Sequence, residues 1–240
     1  MLRVFHPAPW PAAGGAITLS TAESSHLVRV RRARVGESVE VLDGVGGVAS
    51  ATLAADNARA ARLRLGQIIL HPAPPPRVLA VGLPKGDLFT EIVRQATELG
   101  ATAVQPLLTA RTEVRLAADR AEHKLDRWRA AALEAGKQSG NPWLPEISAP
   151  VELAQWLKNL PAAKSESLRL VAALTPDARP LAQCLSASAP QRLLICIGPE
   201  GDFTPGEYAA LQAASFQFVR LPGYVLRVET ACVAALAALG

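Results

Sequence analysis

The stretch LLICIGPEGDFTPGEYAAL, residues 193–211, runs apolar without polar alternation and then breaks at Gly198-Pro199-Glu200-Gly201. Leu193, Leu194, Ile195, Cys196 and Ile197 suit a strand buried on both faces of a parallel sheet. Thr204 is placed to cap a helix, Pro205 suits its first position and Glu207 completes a Thr-x-x-Glu box, so strand, turn and helix are all signalled. In open α/β sheets, ligands sit beyond the carboxyl ends of such strands, where glycine lets backbone approach closely. The same residues also suit a tight βα connection that holds nothing.

Outward from this stretch the same rhythm repeats. RVLAVGL (77–83) predicts a strand, DLFTEIVRQATELG (87–100) a helix ending at glycine, AVQPLLT (103–109) a strand, and residues 117–140 a long helix. Strands are expected at LPEI (144–147), LRLVAAL (168–174), RLLICIG (192–198) and FQFVRL (216–221). Helices are expected at 151–160, 179–188, 205–214 and 229–239. That alternation predicts an α/β domain with a mostly parallel sheet.

HPAPPPR, residues 71–77, interrupts any helix or central strand and reads as an extended linker. Before it, AITLS, ESVEVLDG, GVASATLAA and AARLRLGQIIL alternate with period two between Gly and Asp-Gly punctuation, and AESSHLVRVRRAR (22–34) is the one helix candidate. The expectation is a small β-barrel-like domain over residues 1–72 and an α/β domain over residues 73–240.

The net charge of +4 lies wholly in the first part: residues 1–77 carry nine Arg and Lys against five Asp and Glu, and the remainder balances. Arg29, Arg31, Arg32 and Arg34 are its densest cluster, suited either to a phosphate backbone or to a solvated basic face. Cys184, Cys196 and Cys232 are widely spaced in apolar company and form no disulfide framework or metal motif; the scattered His6, His26, His71 and His123 add none. No secretory signal or spanning segment is apparent, which makes a cytoplasmic protein the default. Nucleotide and hydrolase fingerprints fail: GLPKGD (82–87) lacks the Walker spacing, and neither G-x-G-x-x-G nor G-x-S-x-G follows a strand.

A second informative stretch is LPGYVLRVETACVAALAAL, residues 221–239. Glu229 and Thr230 fall where an acid and a hydroxyl suit a helix start, but Arg227 between Leu226 and Val228 suggests a guanidinium paired or poised over an anion.

GPEGDFTPGEYAAL followed by LPGYVLRVETACVAALAAL resembles the signature of the RsmE family, the 16S ribosomal RNA uridine-N3 methyltransferases of the SPOUT superfamily. The similarity continues through PKGDLFTEIVRQATELGATAVQPLLTARTEV (84–114) and RWRAAALEAGKQSGNPWLPEI (127–147), and faintly through residues 26–47. The resemblance implies a PUA-like RNA-binding β-barrel followed by a SPOUT domain with a trefoil knot. It further implies a homodimer, S-adenosylmethionine as methyl donor without a metal, and the 30S subunit's 16S rRNA as partner, methylated at N3 of a uridine around position 1498.

Carried onto this chain, the donor pocket implied by the resemblance comprises Leu174, Thr175, Ile197, Gly198, Pro199, Glu200, Gly201, Leu221, Pro222, Gly223, Val225, Leu226, Arg227 and Thr230. Arg227 is expected to stabilise the developing uridine anion or a flanking phosphate, with Glu229 orienting it. RNA contacts are expected from His26, Arg29, Arg31, Arg32 and Arg34, and from Lys137 and Gln138 on the long helix. The chain departs from the pattern at Asp202 (usually Gly), at Tyr224 (usually Arg, with the glycine displaced) and at Asn141 (often Arg). Two other readings stay open: the same fold acting on another rRNA position or on ribose 2′-O, and a non-catalytic RNA-binding or ribosome-assembly protein.

Overall fold

Alternation builds the first unit. In β4 (Gly47–Ala55) every second residue is buried, and β5 (Arg62–Leu70) begins the same way, with Leu63 and Leu65 inward and arginines outward. These strands pair antiparallel with each other and with β3 (Ser38–Leu42) and β2 (Ala16–Thr18), while β1 (Leu2–Phe5) runs parallel to β3, giving a mixed sheet in the order β1-β3-β4-β5-β2. Val4, Leu27, Val39, Val41, Leu53, Leu63 and Leu65 form its core.

The computed structural model describes residues 1–113, 118–163, 166–185 and 191–238, and divides into Met1–Ala73 with Leu133–Leu144, and Pro74–Ala132 with Pro145–Gly240. The end of the helix expected at 179–188, together with Val114 and Leu239 of the quoted motifs, lies outside the described residues.

The single helix expected over 22–34 is two short pieces. Ser20 caps α1 (Thr21–Ser25) through its hydroxyl, and the chain then widens into a π turn, His26–Val30, closed by Arg31 N–H to the His26 carbonyl. Arg32 comes next with φ of 57°, which ends any helix. β-branched Val28 and Val30 add little helix propensity to resist this. β1, not anticipated, adds Leu2–Phe5 to the sheet.

In the second unit the parallel pattern holds throughout. β6 (Arg77–Gly82), α2 (Leu88–Glu98), β7 (Ala103–Leu108), α3 (Ala118–Ser139), β8 (Glu146–Ile147), β9 (Val151–Glu152), α4 (Leu153–Asn159), β10 (Ser167–Ala172), β11 (Arg179–Pro180), α5 (Leu181–Cys184), β12 (Arg192–Ile197), α6 (Pro205–Ala213), β13 (Gln217–Arg220) and α7 (Val228–Ala237) succeed one another along the chain. The sheet order is β11-β13-β10-β12-β6-β7-β8, all parallel, with β9 also beside β7. β12 lies between β10 and β6, and its Leu193 to Ile197 are all buried, as a central parallel strand requires. Phe89 of α2 packs its ring 4.4 Å from that of Trp128 on α3. Cys196 and Cys232 are buried, and burial pushes both thiols far above their ordinary range, so they are inert filling.

The division between units falls inside α3. Its last turn carries Lys137, which sequence reasoning placed against RNA; the structure instead buries it in the first unit, 2.7 Å from Glu23 Oε1 and 2.7 Å from Glu134 Oε1. Burial alone favours the neutral amine, but hydrogen bonds to Glu134 and Glu23 outweigh it and raise the Lys137 pKa. Lys137 is therefore a structural cation, while its neighbour Gln138 is exposed. No helix among the described residues is long and apolar enough to cross a membrane.

Candidate active site

The carboxyl ends of β10, β12 and β13 open onto a cleft of about 920 Å³ within the second unit. One wall is the turn after β12. Asp202 N–H donates to the Pro199 carbonyl at 2.8 Å, and Asp202 itself adopts φ of 62°. Aspartate tolerates this left-handed geometry because its short side chain bonds locally. Here Asp202 Oδ1 accepts from Phe203 N–H at 2.8 Å and from the Tyr208 hydroxyl at 2.7 Å. The glycine expected at this position is thus replaced by a residue that supplies its own anchors.

The turn is braced from outside as well. Lys85 N–H donates to Glu200 Oε1 at 3.0 Å, and the Arg111 guanidinium donates to the Gly201 carbonyl. Ala110 N–H donates to Glu207 Oε1 at 2.8 Å. Gly82 at the end of β6 lies so close that a Cβ there would stand 2.4 Å from Pro199 Cδ and 2.6 Å from its nitrogen, so glycine is required. The anticipated capping box forms in full: Thr204 Oγ1 accepts from Glu207 N–H, the Glu207 carboxylate accepts from Thr204 N–H, and Pro205 opens the helix. This anchors α6 directly behind the turn.

The opposite wall is the segment from Arg220 to the start of α7. Arg227 occupies the N-cap position of α7 in an extended conformation without a side-chain cap bond, so Glu229 and Thr230 lie in the first helical turn and not at the cap itself. Nor does Glu229 hold Arg227: among the described residues no ion pair joins them, because positions two apart at a helix start do not face each other. Both side chains nevertheless line the cleft.

Of the expected pocket residues, Leu174, Ile197, Gly198, Pro199, Glu200, Leu221, Gly223, Val225, Leu226 and Arg227 line this one cleft. Thr175, Gly201, Pro222 and Thr230 do not. Thr175 Oγ1, next in sequence to the lining Leu174, is buried without a hydrogen-bond partner among the described residues. Sequence reasoning missed Leu88, Ala172, Ala173, Asp202, Arg220, Tyr224, Val228 and Ala231 as lining. Asp202 and Tyr224 had stood out as departures, and Ala172–Ala173 are reached by extending the strand-exit rule to β10.

On the first unit, Arg29, Arg31, Arg32 and Arg34 are all exposed and His26 is half-buried. None of the four guanidinium groups has an ion-pair partner among the described residues. Among the described residues no three His, Cys, Asp or Glu side chains are grouped as a metal ion would need.

An RNA methyltransferase domain model matches residues 71–240, and an RNA methyltransferase PUA domain model matches residues 19–66. The chain is 39% identical over 222 residues to ribosomal RNA small subunit methyltransferase E of a Synechocystis species, covering 92% of this chain and 71% of that one. It is 32% identical over 242 residues to the protein of the same name in Mycobacterium tuberculosis, covering 99% and 90%. The crystal structure of ribosomal RNA small subunit methyltransferase E from Neisseria gonorrhoeae, bound to S-adenosyl methionine, superposes with a TM-score of 0.88 at 29% identity, covering 99% of this chain and 96% of that one.

Proposed function

Because this chain belongs to the ribosomal RNA small subunit methyltransferase E family, we propose that it transfers a methyl group from S-adenosylmethionine to N3 of a uridine in small-subunit ribosomal RNA. The observation that carries the reading is the single cleft at the carboxyl ends of β10, β12 and β13, walled by the two motif-bearing segments. Its contents suit this coenzyme. Ile197, Leu221 and Leu226 give apolar walls for the adenine, Gly198 leaves backbone groups accessible, and the orphaned Thr175 hydroxyl follows the lining Leu174 in sequence. The bound coenzyme supplies an electrophilic methyl group on a cationic sulfur, and the carboxylates of Glu200, Asp202 and Glu229 oppose that charge.

N3 of uridine is protonated and normally paired, so the base has to be extruded and its N–H weakened. Holding N3 in line with the methyl group contributes about 7–11 kcal/mol through orientation, more than the roughly 10²–10⁴-fold expected of a general base. Arg227 is exposed at the cleft, its guanidinium without a hydrogen-bond or ion-pair partner among the described residues, and it stabilises the anion that develops as N3 loses its proton. Arg29, Arg31, Arg32 and Arg34 hold phosphates of the substrate. The enzyme works as a homodimer in the cytoplasm, where its RNA substrate is assembled into subunits.

Nucleoside mass spectrometry of small-subunit rRNA from cells lacking and regaining this protein tests the reading. Loss and return of 3-methyluridine is expected; an unchanged 3-methyluridine content, or the loss of a ribose 2′-O-methyl mark in its place, overturns the assigned acceptor atom. Neutralising Arg31 and Arg32 together lowers the salt slope of RNA binding by about two, roughly one for each phosphate no longer neutralised.

A further inference from the structure

The chain has two tyrosines, and they are treated in opposite ways. Tyr208 is half-buried, its ring 5.5 Å from Phe203 and 5.3 Å from Phe218 and its hydroxyl bonded to Asp202. Tyr224 lines the cleft yet is 96% exposed, and its hydroxyl has no hydrogen-bond partner among the described residues. Two further lining side chains share this condition, Val225 at 75% and Leu174 at 64% exposure. Arg220 and Arg227, also in the lining and exposed, have no ion-pair partner among the described residues.

Scattered exposed apolar side chains are ordinary; an aromatic and two aliphatic groups around one cleft, interleaved with two unpartnered guanidiniums, are not. The chain bends just before the tyrosine. Gly223 adopts φ of 93°, and a Cβ on it would meet nothing closer than Leu226 Cδ2 at 3.9 Å, so the dihedral and not crowding demands glycine. That bend immediately precedes Tyr224.

We infer that Tyr224 is a substrate-recognition residue whose ring stacks on an unpaired base of the RNA as it enters the cleft, with Arg220 contacting the adjoining phosphate. The inference rests on the methyltransferase reading and adds a residue to it. Single-stranded RNA is recognised chiefly by stacking on aromatic rings beside cationic groups that track the backbone, and the cleft mouth offers that combination. The free guanidiniums favour an anionic occupant over a second copy of this chain, which would bring like charges to the same place.

Full-length Tyr224→Ala, Tyr224→Leu and Tyr224→Phe proteins, compared with the unaltered chain, test this. Binding of a small-subunit rRNA fragment is monitored by fluorescence anisotropy with S-adenosylhomocysteine present, alongside steady-state methylation and light scattering. Tyr224→Ala and Tyr224→Leu are expected to weaken RNA binding and raise the KM for RNA by about tenfold, as loss of one stacked base implies. Tyr224→Phe stays within about twofold, and affinity for S-adenosylmethionine is unchanged in all three. RNA binding by Tyr224→Ala equal to that of the unaltered chain overturns the inference, as does rescue by leucine equal to that by phenylalanine. A loss of RNA binding that tracks a change in oligomeric state overturns it too, assigning Tyr224 to a contact between copies. Failure of the unaltered chain to bind the coenzyme or methylate the fragment overturns the underlying reading instead.

Discussion

The two walls of the cleft are built on opposite plans. Residues 198–203 are held from several sides: by an internal turn bond, by Asp202 acting on Phe203 and Tyr208, by Lys85 on Glu200, by Arg111 on Gly201, and by the capped helix behind them. Across residues 221–227 the only backbone hydrogen bond outside regular helix is the Arg227 carbonyl accepting from Ala231, and neither Tyr224 nor Arg227 has a side-chain partner among the described residues. A pre-organised wall suits a small coenzyme that must be gripped in one pose. An untethered wall with free cationic and aromatic groups suits a large polyanion that supplies the missing partners itself. The rigid wall, with the half-buried Leu221 and Leu226 of the loose one, should therefore govern coenzyme affinity and stability, and the exposed stretch 223–225 RNA affinity.

The strongest way to break that division is Gly82→Ala. The added methyl strikes the backbone of Pro199, which is braced and cannot yield, so overpacking is expected to cost about 2–3 kcal/mol of stability. Coenzyme affinity falls more than about tenfold with it. Calorimetric titration and thermal melting check both; tight coenzyme binding in this variant would show the turn to be pliable. Next comes Arg111→Ala, which removes the donor to the Gly201 carbonyl. Coenzyme binding is expected to weaken about fivefold while the KM for RNA stays put, the loss of one charge-assisted hydrogen bond at an exposed position.

Gly223→Ala sharpens the contrast from the other side. A φ of 93° strains any residue with a Cβ, but an untethered loop relaxes by re-aiming Tyr224 and Val225. RNA affinity is expected to drop about threefold to fivefold, with coenzyme affinity within twofold of the unaltered chain, since the lost stacking is partial. Equal losses for both ligands, measured in parallel titrations, would mean that the two walls act as one.

Much of this was legible in the residues, and the rest was hidden for physical reasons. The β12 strand, its turn and the Thr204–Glu207 box depend on neighbours in sequence, and each appears where the pattern placed it. α1 and its π turn fell short of the helix expected because Arg32 turns left-handed and Leu27 is drawn into the core of the sheet, neither of which helical periodicity encodes. Lys137 looked like a surface cation because only Glu134, three residues away, is visible locally; Glu23 lies 114 residues earlier in the chain and turns the lysine inward. In the site, the two motif-bearing segments line one cleft, but the motifs do not tell which residue within each does so. Gly201 and Pro222 sit beside lining residues and face elsewhere, as successive positions in an irregular turn do. Exposure of Tyr224 is a property of the whole surface and left no mark in the sequence beyond its place in the loop.

The smallest expected effect concerns the bond that lets Asp202 occupy a position suited to glycine. Tyr208→Phe removes the hydroxyl but keeps the ring against Phe203 and Phe218, and the half-exposed Asp202 carboxylate regains water while still accepting from Phe203 N–H. A cost of about 0.5–1 kcal/mol is expected, with coenzyme affinity reduced about twofold. The pH dependence arises at the same hydroxyl. Burial first, then the hydrogen bond to Asp202 and its charge, raise the phenol pKa above the ordinary value of 10.0, so the folded state favours the neutral hydroxyl. The contribution is then complete below that ordinary value and disappears as pH rises through the higher folded-state one, which leaves the difference between Tyr208→Phe and the unaltered chain flat through neutral and mildly alkaline pH. In a Tyr224→Phe background only Tyr208 remains to ionise, and ultraviolet tyrosinate absorbance should not rise until well above the ordinary tyrosine range; an ordinary titration would mean that the Asp202 contact is not held in solution and that the two walls differ less than their hydrogen bonds suggest.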